Sequence, residues 1–178
     1  MTMSMTQTAP VGTTETVAEH VPHRKLVIIA WSGELDKVWP QMILATAGAA
    51  MGMQTTIFFT FWGLFSLVKD DVRITGDNWM QRMVSLMDRP GMEHLKLGKM
   101  NFAGAGPAMM KHLAKGHKVA SPSELLEMAR ELGVKLVPCQ MSMDLLGLSR
   151  DDMIDGLDAP AGAAAMLLEA QDAVTIFI

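Results

Sequence analysis

Cys139 is the single cysteine among 178 residues, and its neighbours give it the setting of a nucleophile. Residues 134–138 spell a short buried strand, and residues 141–146 the first turns of a helix. A thiol between a strand's carboxyl end and a helix amino terminus meets backbone N–H groups and the positive end of a helix dipole, which favour thiolate. The competing reading is a buried structural cysteine, since free cysteine is a common core residue. One thiol cannot run a two-thiol redox cycle within the chain. A second would have to come from another subunit, a partner or a small molecule.

Other chemistries have less to work with. A Cys–His hydrolase needs a histidine that reaches Cys139; His94, His112 and His117 are the candidates in the folded region, and none sits in a recognisable catalytic setting. Gly104-Ala105-Gly106 lacks the third glycine of a nucleotide loop and follows no strand. Methionine is the compositional outlier, with 18 copies. Met51-x-Met53, Met109-Met110 and Met141-x-Met143 are soft sulfur pairs that would suit Cu(I) beside Cys139. Packing is their plainer role, and the helical spacing of Met80, Met83 and Met87 fits it. Asp144, five residues past the thiol, is expected to be structural, because a nearby carboxylate disfavours thiolate.

The elements around Cys139 form an alternating series. Residues 25–31 are a first, almost wholly apolar strand; residues 35–51 an Ala-rich helix stopped by Gly52; residues 55–60 a second strand running into Phe61-Trp62-Gly63. Further helices are expected at 64–69, 78–87, 107–115 and 161–170, and a last strand at 173–178. Ser121-Pro122-Ser123-Glu124 is a capping box with proline at the first helical position, and Gly133 ends the helix it opens. Strands alternating with helices predict an α/β fold with a mainly parallel sheet covered on both faces. Right-handed crossovers then put every strand's carboxyl end on one edge, where ligand and catalytic groups gather. Ser32-Gly33, Phe61-Trp62-Gly63 and Cys139 all arrive there. Phe61 and Trp62 would wall a pocket or enter a subunit contact.

Charge bounds the partners. The net charge of −4 argues against a nucleic-acid protein. From His94 to Lys118 there are five lysines, Lys99 and Lys111 among them, and no acid, whereas from Cys139 onward there are seven acids and only Arg150. The basic segment could fold over the sheet edge and draw an anionic substrate to the thiol; an ordinary solvated surface is the alternative. Residues 38–68 form a run of 31 without a charge. Pro40, Gly48, Gly52, Gln54 and Gly63 interrupt it, so a buried helix and strand are favoured over a membrane span. Residues 1–24, rich in Thr, Met and Ala, lack the pattern of a signal peptide and are expected to be a disordered tail before one domain at 25–178. A lone cysteine makes the cytoplasm the default setting.

The runs FFTFWG at 58–63, KMNFAGAGPAMMK at 99–111 and PCQMSMDLLG at 138–147 together resemble the DsrE/DsrF-like proteins, in particular the peroxiredoxin-like, DsrE-related sulfur-transfer branch. SGELDK at 32–37, SPSELLEMARELGVK at 121–135 and IDGLDAPAGAAAMLLEA at 154–170 extend the resemblance over residues 25–178. It implies a three-layer αβα fold with a mainly parallel sheet of about five strands, homo-oligomers, and cytoplasmic sulfur trafficking. It implies Cys139 as the sulfur-carrying residue, with Ser32, Gly33, Phe61, Trp62 and Gly63 near it. Rhodanese-like proteins and small TusA-like carriers are the implied partners, and small anionic sulfur compounds the implied substrates.

On this reading Cys139 is a sulfur-relay thiol that holds sulfur as a persulfide or thiosulfonate. Backbone N–H groups of the following residues, Gln140 and Met141, would hold the anion, and Lys99 and Lys111 would add positive charge. No metal or organic cofactor is needed. The alternatives are a non-catalytic scaffold subunit of a sulfur-oxidation assembly, with Cys139 inert and buried, and a Met/Cys carrier of Cu(I).

Overall fold

Strand β1 (Lys25–Ala30) buries Leu26, Val27, Ile28 and Ala30, so both of its faces have to be covered. The computed structural model describes residues 25–72, 91–99 and 101–178, and within them it builds that cover. Helix α1 (Leu35–Ala50) follows β1, then β2 (Gln54–Phe59) and a 3₁₀ segment, Phe61–Leu67. Helices α2 (Ala105–Gly116) and α3 (Pro122–Glu131) lead into β3 (Lys135–Pro138). Helix α4 (Gln140–Leu146), helix α5 (Ala163–Glu169) and strand β4 (Val174–Phe177) complete the described α-helices and strands.

The four strands are all parallel, in the order β3-β2-β1-β4. The steps from β1 to β2 and from β2 to β3 go in one direction, and α1 and α3 lie together on one face. The return from β3 to β4 runs the other way, and α5 covers the opposite face. That is the outcome of right-handed crossovers. Leu26, Ile28, Ile57, Phe59 and Leu136 join a large core with α1, α3, the 3₁₀ segment and α4. Val27, Phe58 and Cys139 point the other way and meet Met166 of α5.

The expected sheet of about five strands has four among the described residues. Beyond β3, the 158–161 stretch runs beside it without becoming a strand. The Asp158 N–H donates to Leu136 O at 2.9 Å, the Ala161 N–H to Pro138 O at 3.0 Å, and Ala161 forms a parallel bridge with Cys139. Pro160, between them, has no N–H to give, so the ladder does not extend. Arg150, the lone base of this half, donates to the carbonyls of Leu157 and Asp158 and holds the stretch in place.

The capping box forms as the sequence requires: Ser121 Oγ accepts from the Glu124 N–H, while the Glu124 carboxylate accepts from the Ser121 N–H at 2.7 Å. The helix expected at 64–69 is instead the 3₁₀ segment that starts earlier, at Phe61. Phe61 has φ 48°, a left-handed conformation that bulky residues rarely adopt, and the tight turn it starts does not relax into an α-helix. The expected tail at 1–24 and the expected helix at 78–87 lie outside the described residues. Among the described residues no helix is long and apolar enough to cross a membrane. Residues 38–68 divide into most of α1, β2 and the 3₁₀ segment.

Candidate functional site

The parallel sheet brings the carboxyl ends of β1, β2 and β3 to one edge, and the loops there interlock. The Thr60 N–H donates to Ala30 O at 2.9 Å and the Gly63 N–H to Trp31 O at 3.1 Å. The close approach explains both glycines. A Cβ on Gly63 would overlap the Ala30 carbonyl oxygen, and one on Gly33 would stand 2.6 Å from Trp62 O. Ser32 is buried, and its Oγ accepts from the Glu34 N–H at 3.2 Å, which shapes the turn into α1. Phe61 and Trp62 are each 44% exposed, and Trp62 packs its ring against Phe65 at 5.7 Å.

Cys139 stands beside this edge as the N-cap of α4. Its N–H donates to Phe59 O at 2.8 Å and its carbonyl accepts from the Met143 N–H at 3.0 Å, so its backbone is fixed from both sides. The Gln140 N–H is spoken for by Ala161 O at 3.1 Å. Of the N–H groups after Cys139 expected to hold an anion, this one therefore has an acceptor within the protein. Among the described residues, the N–H groups of Met141 and Ser142 are the first-turn donors without an acceptor. The Gln140 side chain donates to Asp144 Oδ1 at 2.8 Å on the outer surface of α4, which gives Asp144 the structural role expected of it. The Met141 side chain is exposed.

The thiol is not open to solvent. Cys139 is 2% exposed and packs with Val27, Phe58 and Met166, with Ala161 at its side. Nor do the lysines converge on it. Lys111 Nζ pairs with Glu93 Oε2 at 3.0 Å and lines a cleft of about 1030 Å³ between α2 and α3, with Trp39 of α1 in its wall. That cleft lies on the α1 and α3 side of the sheet, whereas Cys139 faces the α5 side. Lys99 follows Gly98, whose N–H donates to Asp36 Oδ1 at 3.3 Å on the first turn of α1. Lys111 is therefore anchored with the α1 layer, and the backbone just before Lys99 is tied to the same layer. The methionine pairs are dispersed too. Met143 joins the large core, Met109 is exposed on α2, and Met51 is exposed beyond α1. Met166, buried against the thiol, is the methionine that its sequence position did not single out.

Two hydroxyls also escaped the sequence reading. Thr60 Oγ1 and Ser142 Oγ are 2.9 Å apart and join the end of β2 to the first turn of α4. Ser142 is buried. Its signal was its place three residues after the N-cap, where a side chain folds back toward the preceding strand.

Residues 22–177 match the DsrE/DsrF/DrsH-like family. The chain belongs to this family. It is 41% identical over 156 residues to the uncharacterized protein YrkE of Bacillus subtilis, covering 87% of this chain and 97% of that one. It is 40% identical over 145 residues to the sulfur carrier protein DsrE2 of Allochromatium vinosum, covering 80% and 89% respectively. Among solved structures, the protein of unknown function MTH1491 from Methanobacterium thermoautotrophicum aligns over 86% of this chain and 99% of its own, at 12% identity and a TM-score of 0.42.

Proposed function

We propose that this DsrE-like protein is a sulfur carrier whose working atom is the Cys139 sulfur. The observation that carries the reading is the junction itself. The lone thiol of the chain caps α4 at the carboxyl edge of a parallel sheet, and in the following turn two N–H groups have no acceptor among the described residues. Family membership and the likeness to a sulfur carrier support it. The Cys139 thiolate attacks the outer sulfur of a donor persulfide, R–S–SH. A new S–S bond forms, the donor's S–S bond breaks, and R–S⁻ leaves with the electron pair. An acceptor thiolate then attacks the outer sulfur of Cys139–S–SH and releases the Cys139 thiolate. No external oxidant or reductant is consumed. The cytoplasm suits this chemistry, with a TusA-like or rhodanese-like protein as the other party. Intact-mass measurement after incubation with glutathione persulfide tests the step. One added sulfur, lost again with dithiothreitol and missing from Cys139→Ser, supports it; no adduct on reduced wild type contradicts it.

The burial of Cys139 favours a second reading, a scaffold subunit with an inert thiol. The two part at alkylation: a carrier thiol reacts with iodoacetamide in the folded protein, and an inert one only after unfolding. Self-association is also proposed, since the outer side of α1 exposes Pro40, Ile43, Leu44 and Ala47 and carries no charge there. Sedimentation at the mass of one 19.4 kDa chain would contradict it.

A further inference from the structure

A carrier thiol has to meet its partners, yet Cys139 is 2% exposed while Phe61, Trp62 and Met141 nearby are at least 44% exposed. What hides the sulfur divides into two kinds. Val27 and Phe58 belong to β1 and β2, strands held by continuous ladders on the inner side of the sheet. Met166 belongs to α5, which has few anchors among the described residues: besides Met166, the partly buried Ala170 and Ala173 at its end pack against the same cluster. This helix has seven residues, and its N-cap is Gly162, which has no side chain to accept from the first turn. Isolated helices of that length do not sustain themselves. Met166 is its one buried side chain; Leu167 and Leu168 are 68% and 65% exposed. Its polar tethers are Thr56 Oγ1 and Lys135 Nζ, each 3.5 Å from Glu169 Oε1, at the outer limit for such contacts. Gly162 has open space around it, and Asp172 at the far end has φ 58°, in the left-handed region.

Resting on the sulfur-carrier reading, we propose that residues 162–172 form a cover that swings off the sheet to expose Cys139, so that local opening of α5 sets the rate at which the thiol reacts. Ala161 stays behind in this motion, because its bridge to Cys139 and its hydrogen bonds to Pro138 and Gln140 lie on the near side of the Gly162 pivot. Such openings belong to the low-stability end of a fold and precede global unfolding.

The test is the rate of iodoacetamide alkylation of the full chain, read by intact mass; Cys139 is its only thiol. The native rate is expected to lie about 100-fold or more below that of the urea-unfolded chain, and to change little in low urea, because a local opening exposes little surface. Met166→Ala removes the latch and is expected to raise the native rate about tenfold or more. Leu126→Ala, in the opposite layer, is the control for general destabilisation and should leave the native rate unchanged. A native rate equal to the unfolded rate would overturn the cover. So would an equal acceleration by Met166→Ala and Leu126→Ala, which would mean exposure by global unfolding. If the alkylation pattern holds and no sulfur adduct forms, the carrier reading fails and the cover stands.

Discussion

Among the described residues, 26 buried apolar residues form one continuous cluster on the α1 and α3 side of the sheet; on the α5 side the buried cluster has four, and Cys139 is one of them. The helices differ in the same sense. Helix α3 has a capping box, proline at its first position and four buried residues, while α5 has an uncapped start and one. Hydrophobic burial scales with apolar area removed from water, so the first face supplies most of the fold's stability. The second carries the thiol under a thin layer. A protein that must keep a nucleophile hidden and still deliver it has reason to separate the two tasks.

The contrast can be broken most sharply at Cys139 itself. Cys139→Ser is expected to abolish sulfur loading while urea unfolding stays close to wild type; any loading by the serine variant would detach the chemistry from this face. Next in size is the difference between leucines. Leu136→Ala opens a cavity in the large core and should cost about 3 kcal/mol, whereas Leu167→Ala on exposed α5 should change stability by less than about 0.5 kcal/mol. Equal losses in urea melts would mean that α5 is as integral to the fold as the large core. Smaller still is the Thr60–Ser142 link, where Ser142→Ala should cost about 1 kcal/mol. It should also lower the loading rate by more than the stability loss explains if the link positions the thiol; an unchanged rate would leave it purely structural.

The smallest effect lies in the thick layer's surface. The Ser123 hydroxyl, and after it Lys111, hold the Glu93 carboxyl below its ordinary value of 4.5. A depressed carboxylate stabilises the fold above its unfolded value, and that contribution is lost as pH falls through the lower folded one. With Glu93 partly exposed, solvent screening keeps the effect below about 1 kcal/mol. The stability gap between wild type and Glu93→Gln should therefore be present at pH 7 and close below pH 4.5; a gap that persists at acid pH would assign it to packing.

The sequence made legible what local chemistry decides. The apolar strands, the capping box at Ser121 and the stop at Gly133 depend on neighbours within a few residues. So does the junction at Cys139, because strand, N-cap and helix follow one another there. The burial of the thiol was not legible, since Met166 reaches it from a helix 27 positions further along the chain. Where the lysines go was not legible either, for a related reason. Lys99 and Lys111 form a charge run in sequence, but α2 carries Lys111 to Glu93 on the other side of the sheet from the thiol. Which face a helix covers follows from crossover direction, and strand order is not written in local pattern.

The most direct test of the central claim is transfer. Protein loaded with labelled sulfur from glutathione persulfide is desalted and given a small acceptor thiol, with Cys139→Ser carried through in parallel. The carrier account predicts label on the wild type alone, passing to the acceptor and regenerating a free Cys139. Label that stays on the protein, or that the serine variant transfers equally well, would contradict it.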